Sequence, residues 1–352
     1  MKHLFLLFFI LLHIPIKAVE SPSKKRARDI CKFFTKRPYL KQPSSLKIPY
    51  NADSKEKRMS GELEGHQSTI ITLAYAAGQL ASTSYDKTIR IWDLATQRTT
   101  HIVQSNKPSN NIHFFNEHCI MLAKNTKIKV KDLRMKTIVP LLCPPTQSTA
   151  TNIDTFSCHT NNIAVGYNDR SITCFDIRTS SFIRNFFTGQ HDINALTWLS
   201  GNKLAAGLSS KLKIWDIISG NSETPLKGRW VNALAVASTT FVSATDDGTI
   251  SVWNPSNMEC SATLEGHTAS TGAVAYINDT TLASASDDAT LCTWDLATNL
   301  KTGVINHEYA VTAVTSVNPL MIASGASDAK IRLWDIHKQQ GLDSINITDY
   351  IQ

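Results

Sequence analysis

IRIWDLAT, residues 89–96, is the stretch whose reading decides the fold. The same figure returns as LKIWDIIS (212–219), ISVWNPSN (250–257), LCTWDLAT (291–298) and IRLWDIHK (331–338). Two weaker copies are IKVKDLRM (128–135) and ITCFDIRT (172–179). Their anchors are Asp93, Asp132, Asp176, Asp216, Asn254, Asp295 and Asp335, separated by 39, 44, 40, 38, 41 and 40 residues. Self-similarity at a fixed period of this size marks a repeat architecture, and it takes precedence over any local pattern.

Working outward from the anchors, a second marker lies upstream in some copies. LEGH occupies 63–66 and 264–267, GQH ends at His191, and an NH pair ends at His307. Between the markers run short apolar alternations such as ITLAY (71–75) and LASTS (80–84), bounded by turn pairs such as Tyr85-Asp86 and Asp287-Asp288. Short alternating runs with regular turns read as antiparallel strands and not as helices. Four strands in each of seven units predict an all-β, seven-bladed propeller of four-stranded antiparallel blades.

On these residues the chain resembles the WD40-repeat family, over residues 59–345. In that family a His before the inner strand a, a Ser or Thr in strand b, an Asp in the b–c turn and a Trp in strand c hydrogen-bond in series. The resemblance implies such structural tetrads at His66, Ser82, Asp86 and Trp92 in blade one, His267, Ser284, Asp288 and Trp294 in blade six, and His307, Ser324, Asp328 and Trp334 in blade seven. The physical reason is satisfaction: a buried Asp requires donors, and His, Ser and indole N–H groups supply them. Blade five keeps Ser243, Asp247 and Trp253 with Arg229 in the His slot. Blade four keeps His191 and Trp215 with a hairpin one residue short. Blade three has Phe175 for Trp and retains Asp169, and blade two has Lys131 for Trp. Blades two and three are therefore expected to be the softest part of the ring. The ring is expected to close through an extra outer strand, supplied by 58–63 or by 342–348, which removes an exposed strand edge.

Composition bounds the rest. The formal charge is +7, of which residues 19–58 carry +8 and residues 1–18 carry +2, leaving about −3 on the remainder. A basic segment thus precedes a mildly acidic body, and the folded body is not expected to bind nucleic acid. The opening MKHLFLLFFILLHIPIKAVE has Lys2, an unbroken apolar run from Leu4 to Leu12 and the small Ala18, the pattern of an export signal over 1–18. The run is too short for a transmembrane span. Ile16 fits the cleavage pattern poorly, and an uncleaved interfacial anchor is the competing reading. The mature protein is expected to begin near Val19. N-terminal sequencing from the native source checks this, and a Met1 start in a cytosolic fraction would overturn the export reading in favour of cytoplasm or nucleus. Residues 19–58 read as a basic linker with too little apolar content to fold alone, and 346–352 as a C-terminal tail. Within the linker KKRAR (24–28) is similar to a nuclear-import or anionic-surface patch, beside the plainer reading of a solvated linker. The seven cysteines (31, 119, 143, 158, 174, 260 and 292) form no close pair, so neither a disulfide framework nor a zinc site is expected.

No nucleophile elbow, HExxH run or phosphate loop occurs in the chain. The His–Ser–Asp sets recur in three blades, whereas an enzyme requires one site with an exposed nucleophile. The expectation is a non-enzymatic scaffold, without cofactor or metal, monomeric or part of a larger complex, that binds a protein or peptide partner. By the resemblance, partners meet the face carrying the d–a and b–c loops, where register places Tyr85, Trp230, Asn232, Asp246, Asp287, Tyr309 and Ser327. Trp230 reads either as an anchor or as a blade-packing residue. The Asp pairs 246-247 and 287-288 suit a basic partner. A second reading is a substrate receptor of a cullin-type ubiquitin ligase. Such receptors carry Asp-x-Arg after strand c in adjacent blades, and Asp132–Arg134 and Asp176–Arg178 match that pattern. A third, an enzyme using the central channel, has no cluster of titratable residues behind it.

Overall fold

The structure, a computed structural model, describes residues 59–336 except 106, 125, 135–137, 141–151 and 180. The leader, the linker with KKRAR, Cys31, Cys143, the closing candidate 342–348 and the tail lie outside the described residues.

The described residues form seven four-stranded antiparallel sheets and no helix. Blade one is built from strands a to d at Ile70–Ala76, Gln79–Ser84, Thr88–Asp93 and Arg98–Gln104, hydrogen-bonded in that order. Five more blades repeat this order along the chain. The seventh takes strands a to c from Val311–Asn318, Met321–Ala326 and Ile331–Asp335, and its outer strand from Met59–Leu63. Leu63 pairs with Ile331 and Met59 with Trp334. Of the two closing candidates, the N-terminal segment thus supplies the strand. Leu63 is buried against Ile331 and Leu333, so the first residues of the domain seal its last sheet.

The strand sequences follow from their place in the blade. Strand d of blade one alternates between exposed and half-buried residues, as an outer strand wetted on one face must. Strand b is buried along nearly its whole length and reads QLASTS, TLASAS or MIASGA. Small side chains are required there because the neighbouring blade's strand a approaches closely. A Cβ added to Gly325 would stand 2.5 Å from Ile70 Cγ2, and one on Gly207 2.7 Å from Val231 Cγ1. The clusters that fill the ring lie mostly between blades. One joins Leu63, Ile331 and Leu333 of blade seven to Ile70, Leu80 and Trp92 of blade one.

In six blades strand a carries a register shift after its first residue, as between Ile70 and Thr72 or Ile153 and Thr155. A bulge of this kind frees one residue from the ladder and re-aims its side chain. The freed residues are Ile71, Asp154, Asn194, Asn232, Gly272 and Thr312. Asn194 donates to Val231 O at 3.0 Å, Asn232 to Thr271 O at 3.3 Å and Thr312 to Ile70 O at 2.6 Å. Each bond crosses to the next blade and ties two neighbouring inner strands together.

Among the described residues no helix is long and apolar enough to cross a membrane, and no group of three or more His, Cys, Asp or Glu is placed to hold a metal ion. Cys174, Cys260 and Cys292 are free thiols.

Candidate functional site

The b–c turns carry most of the candidate residues, and the tetrads hold those turns. In blade one the indole N–H of Trp92 donates to Ser82 Oγ at 2.8 Å. Ser82 Oγ lies 2.7 Å from His66 Nε2, and His66 Nδ1 lies 2.7 Å from Asp86 Oδ2. One proton arrangement satisfies every group: Trp92 donates to Ser82, Ser82 to Nε2, and Nδ1–H to Asp86. Burial lowers the His66 pKa, which keeps the ring neutral at pH 7 as this chain requires. Burial by itself would raise the Asp86 pKa. Hydrogen bonds from Thr88, the Gln67 amide and His66 outweigh it and bring the carboxyl down to about 2.

Blade six repeats the chain: Trp294 to Ser284 at 2.8 Å, Ser284 to His267 at 2.7 Å, and His267 to Asp288 at 2.9 Å. Blade seven departs from the tetrad that the resemblance implies. Trp334 donates to Ser324 at 2.7 Å, but His307 Nε2 stands 3.4 Å from Ser324 and the buried His307 Nδ1 has no partner. Arg332 takes Asp328 instead, at 2.6 Å, because an always-charged guanidinium outcompetes a neutral imidazole for a carboxylate. In blade five Trp253 donates to Ser243 at 2.9 Å, and Arg229 fills the His slot with an ion pair to Asp247 at 3.1 Å. In blade four His191 bonds Ser210 at 2.9 Å in a turn that lacks the Asp. Blade three has Phe175 in the place of the Trp and Val165, ten residues earlier, in the place of the Ser, so both polar partners disappear together and none is orphaned. Ser82, Ser284 and Ser324 are at most 1% exposed, so these sets offer no nucleophile to a substrate.

The loop face follows from one repeated backbone bond. The residue before the turn Asp donates its N–H to the carbonyl of the residue before strand a: Tyr85 to Thr69 at 3.1 Å, Asp246 to Trp230, Asp287 to Ser270 and Ser327 to Ala310, each at 3.0 Å. The two loops of every such blade are thereby held side by side on one rim. Tyr85 (59% exposed), Trp230 (47%) and Tyr309 (52%) project from it. Asp246, Asp287 and Ser327 are exposed beside them. Asp246 Oδ1 also accepts from the Trp230 amide at 3.2 Å, fixing the backbone of the indole. Asn232 differs from the sequence expectation. Its amide is occupied by Ser270 Oγ at 2.9 Å and Thr271 O in blade six, so it joins blades and does not face a partner.

Sequence reasoning missed a cavity of about 220 Å³ on this rim, between blades one, two and three. Tyr85, Lys107, Asn110, Asn152 and Asp154 line it. The signal was present in the register: IDTF (153–156) aligns with INAL (193–196) and VNAL (231–234), putting an Asp where two blades have Asn.

Comparison with known proteins agrees with this geometry. The family model for the WD domain, G-beta repeat, matches residues 57–93, 220–254, 258–295 and 299–335. Blades two and three, with Lys131 and Phe175 in the Trp place, lie outside those segments, and so does most of blade four although it keeps Trp215. The DENN domain and WD repeat-containing protein SCD1 of Arabidopsis thaliana is 30% identical over 112 residues, 31% of this chain and 9% of that protein, so the chain spans under a tenth of this relative. The crystal structure of the computationally designed Ika8 protein superposes with a TM-score of 0.62, covering 78% of this chain and 98% of that one at 23% identity. At that identity the likeness shows the fold alone.

Proposed function

This chain being a WD40-repeat propeller, a fold that generally serves protein interaction, we propose that it is a non-enzymatic scaffold whose d–a and b–c loop face binds a basic polypeptide. The observation that carries the reading is the rim itself: Trp230, Tyr85 and Tyr309 stand half-exposed or more beside Asp246 and Asp287. Exposed aromatics on rigid loops offer contact area at little entropic cost, and an acidic surround steers a basic partner. Residues 1–18 and 19–58 are proposed as export leader and basic linker.

Trp230→Ala is expected to weaken the main co-purifying partner by at least about 1 kcal/mol, close to fivefold in Kd, without moving the melting temperature. Asp246→Asn keeps the oxygen that accepts from the Trp230 amide and removes only charge. It is therefore expected to slow association and flatten its salt dependence. Calorimetry and stopped-flow mixing on the full chain read both. Loss of binding together with loss of thermal stability in Trp230→Ala would make the indole a packing residue and end the proposal. The ligase-receptor reading gains nothing from blade two, where Arg134 is folded onto its own Asp132 at 2.9 and 3.1 Å. Arg134→Ala with Arg178→Ala is expected to leave the partner untouched. If that pair instead abolishes recovery of a ligase adaptor and Trp230→Ala does not, the receptor reading replaces this one.

A further inference from the structure

We propose that the cavity between blades one, two and three seats one cationic side chain, lysine or arginine, of the bound polypeptide. The inference rests on the loop-face reading above and assigns the chemistry of one subsite on it.

Asp154 carries the argument. It is the bulge residue of strand a in blade three, at the position where Asn194, Asn232 and Thr312 donate across to the next blade. An ionised carboxylate has no proton to donate there, and the Asp154 side chain makes no hydrogen bond or ion pair with any described residue. It is half-buried and borders the cavity. An unpaired charge in such a place is unfavourable. Burial first, and then the carboxylates of Asp192 and Asp169, push its pKa up to about 6.

The charged groups around it come from every neighbouring loop. Asp192, ahead of blade four, is already paired with Arg170 at 3.1 Å. Asp169, in the blade-three turn, accepts from the Ser171 amide and hydroxyl at 3.1 and 2.6 Å. Lys107, ahead of blade two, lines the cavity and donates to Asn152 Oδ1 at 3.2 Å. Asp154 is thus the one carboxylate that lines the cavity, and it has no ion-pair partner among the described residues while Lys107 is engaged by Asn152. Tyr85 and Asn110 line the same cavity. A cation on a flexible aliphatic stem fits this set: the stem lies along the aromatic face, and the charge meets Asp154.

The test uses the full chain and the pentapeptide acetyl-Gly-Gly-Lys-Gly-Gly-amide, with its Nε-acetyl-lysine form as control, followed by NMR at the Asp154 carboxyl. Saturable binding is expected with the lysine peptide, at least tenfold weaker in Asp154→Asn and absent with the acetylated form. Because the cation needs the ionised carboxylate, affinity is expected to fall roughly tenfold from pH 7.5 to pH 5, following ionisation through a pKa near 6. Asp154→Asn is also expected to raise the melting temperature at pH 7.5 and not at pH 4. A carboxyl whose folded pKa is raised leaves stability intact below its ordinary value and reduces it as pH rises through about 6. Equal binding of the lysine peptide to Asp154→Asn, or of the acetylated peptide to the wild type, would overturn the subsite. The probe offers nothing to Trp230, so Trp230→Ala is expected to leave its affinity unchanged. Failure of the subsite with Trp230-dependent partner binding intact would refute this inference alone.

Discussion

Ser284→Ala is expected to lower the unfolding free energy by about 2–6 kcal/mol, from two buried groups losing their partner at about 1–3 kcal/mol each. Ser284 is fully buried. Its hydroxyl is the only atom that both accepts from Trp294 and reaches His267 Nε2. Removing it strands an indole N–H and a ring nitrogen in low dielectric, where water cannot replace the bonds. Trp294→Phe and Asp288→Asn break one link each and are expected to cost about 1–3 kcal/mol. The Asp288 contribution also depends on pH. Although burial alone would raise its pKa, bonds from Thr290, the Thr268 amide and His267 hold it at about 2 against an ordinary 3.8. Its stabilisation is therefore fully present above about pH 4 and is lost as pH falls through 2. The gap between wild type and Asp288→Asn should close over that window. In blade seven, Ser324→Ala should cost less than Ser284→Ala, because His307 is already 3.4 Å from Ser324. Urea titrations of these variants measure the differences, and unchanged midpoints in Ser284→Ala would show that the tetrad does not hold the blade.

Gly248→Ala is expected to cost a comparable amount, about 2–4 kcal/mol, from overpacking added to a left-handed backbone. Gly248 closes the b–c turn of blade five with φ at +86°. The left-handed backbone is not the decisive term, because Lys87, Arg170, Ala289 and Ala329 adopt it at the same place in other blades. What differs is the space. A Cβ on Gly248 would meet Ala269 O at 2.8 Å and His267 O at 2.9 Å. Both are backbone atoms in the loop that leads into blade six, so no side chain can swing aside. The methyl group would push two blades apart where His267 begins its tetrad. Thermal unfolding of Gly248→Ala beside Ala289→Gly separates the two causes. A large loss in the first with little change in the second is expected, and equal small changes would refute the close-contact account.

The repeat was legible because it is local. Each Trp–Asp anchor, each turn Asp and each buried Ser is set by a few residues around it, and seven copies in register leave one architecture. The rim was legible for the same reason, since Tyr85, Trp230 and Tyr309 occupy fixed offsets from a tetrad position. Asn232 was misplaced because its partners, Ser270 and Thr271, are 38 and 39 residues away, and a bulge turned it toward them. The blade-seven tetrad was misread because Arg332 sits in a strand whose sequence, IRLWD, matches the IRIWD of blade one, where Arg90 lies over Trp92 instead.

By itself, then, the amino-acid sequence determined the blade count, the four-stranded antiparallel blade and the place of Tyr85, Trp230 and Tyr309 on the loop face, because all three follow from spacing along one chain. Only the tertiary structure decided which segment seals the ring, which donor satisfies each turn Asp and that Asp154 is left without a partner beside a cavity. Those outcomes depend on competition between groups brought together from different blades. Distance and burial settle that competition, and neither is written in the local sequence.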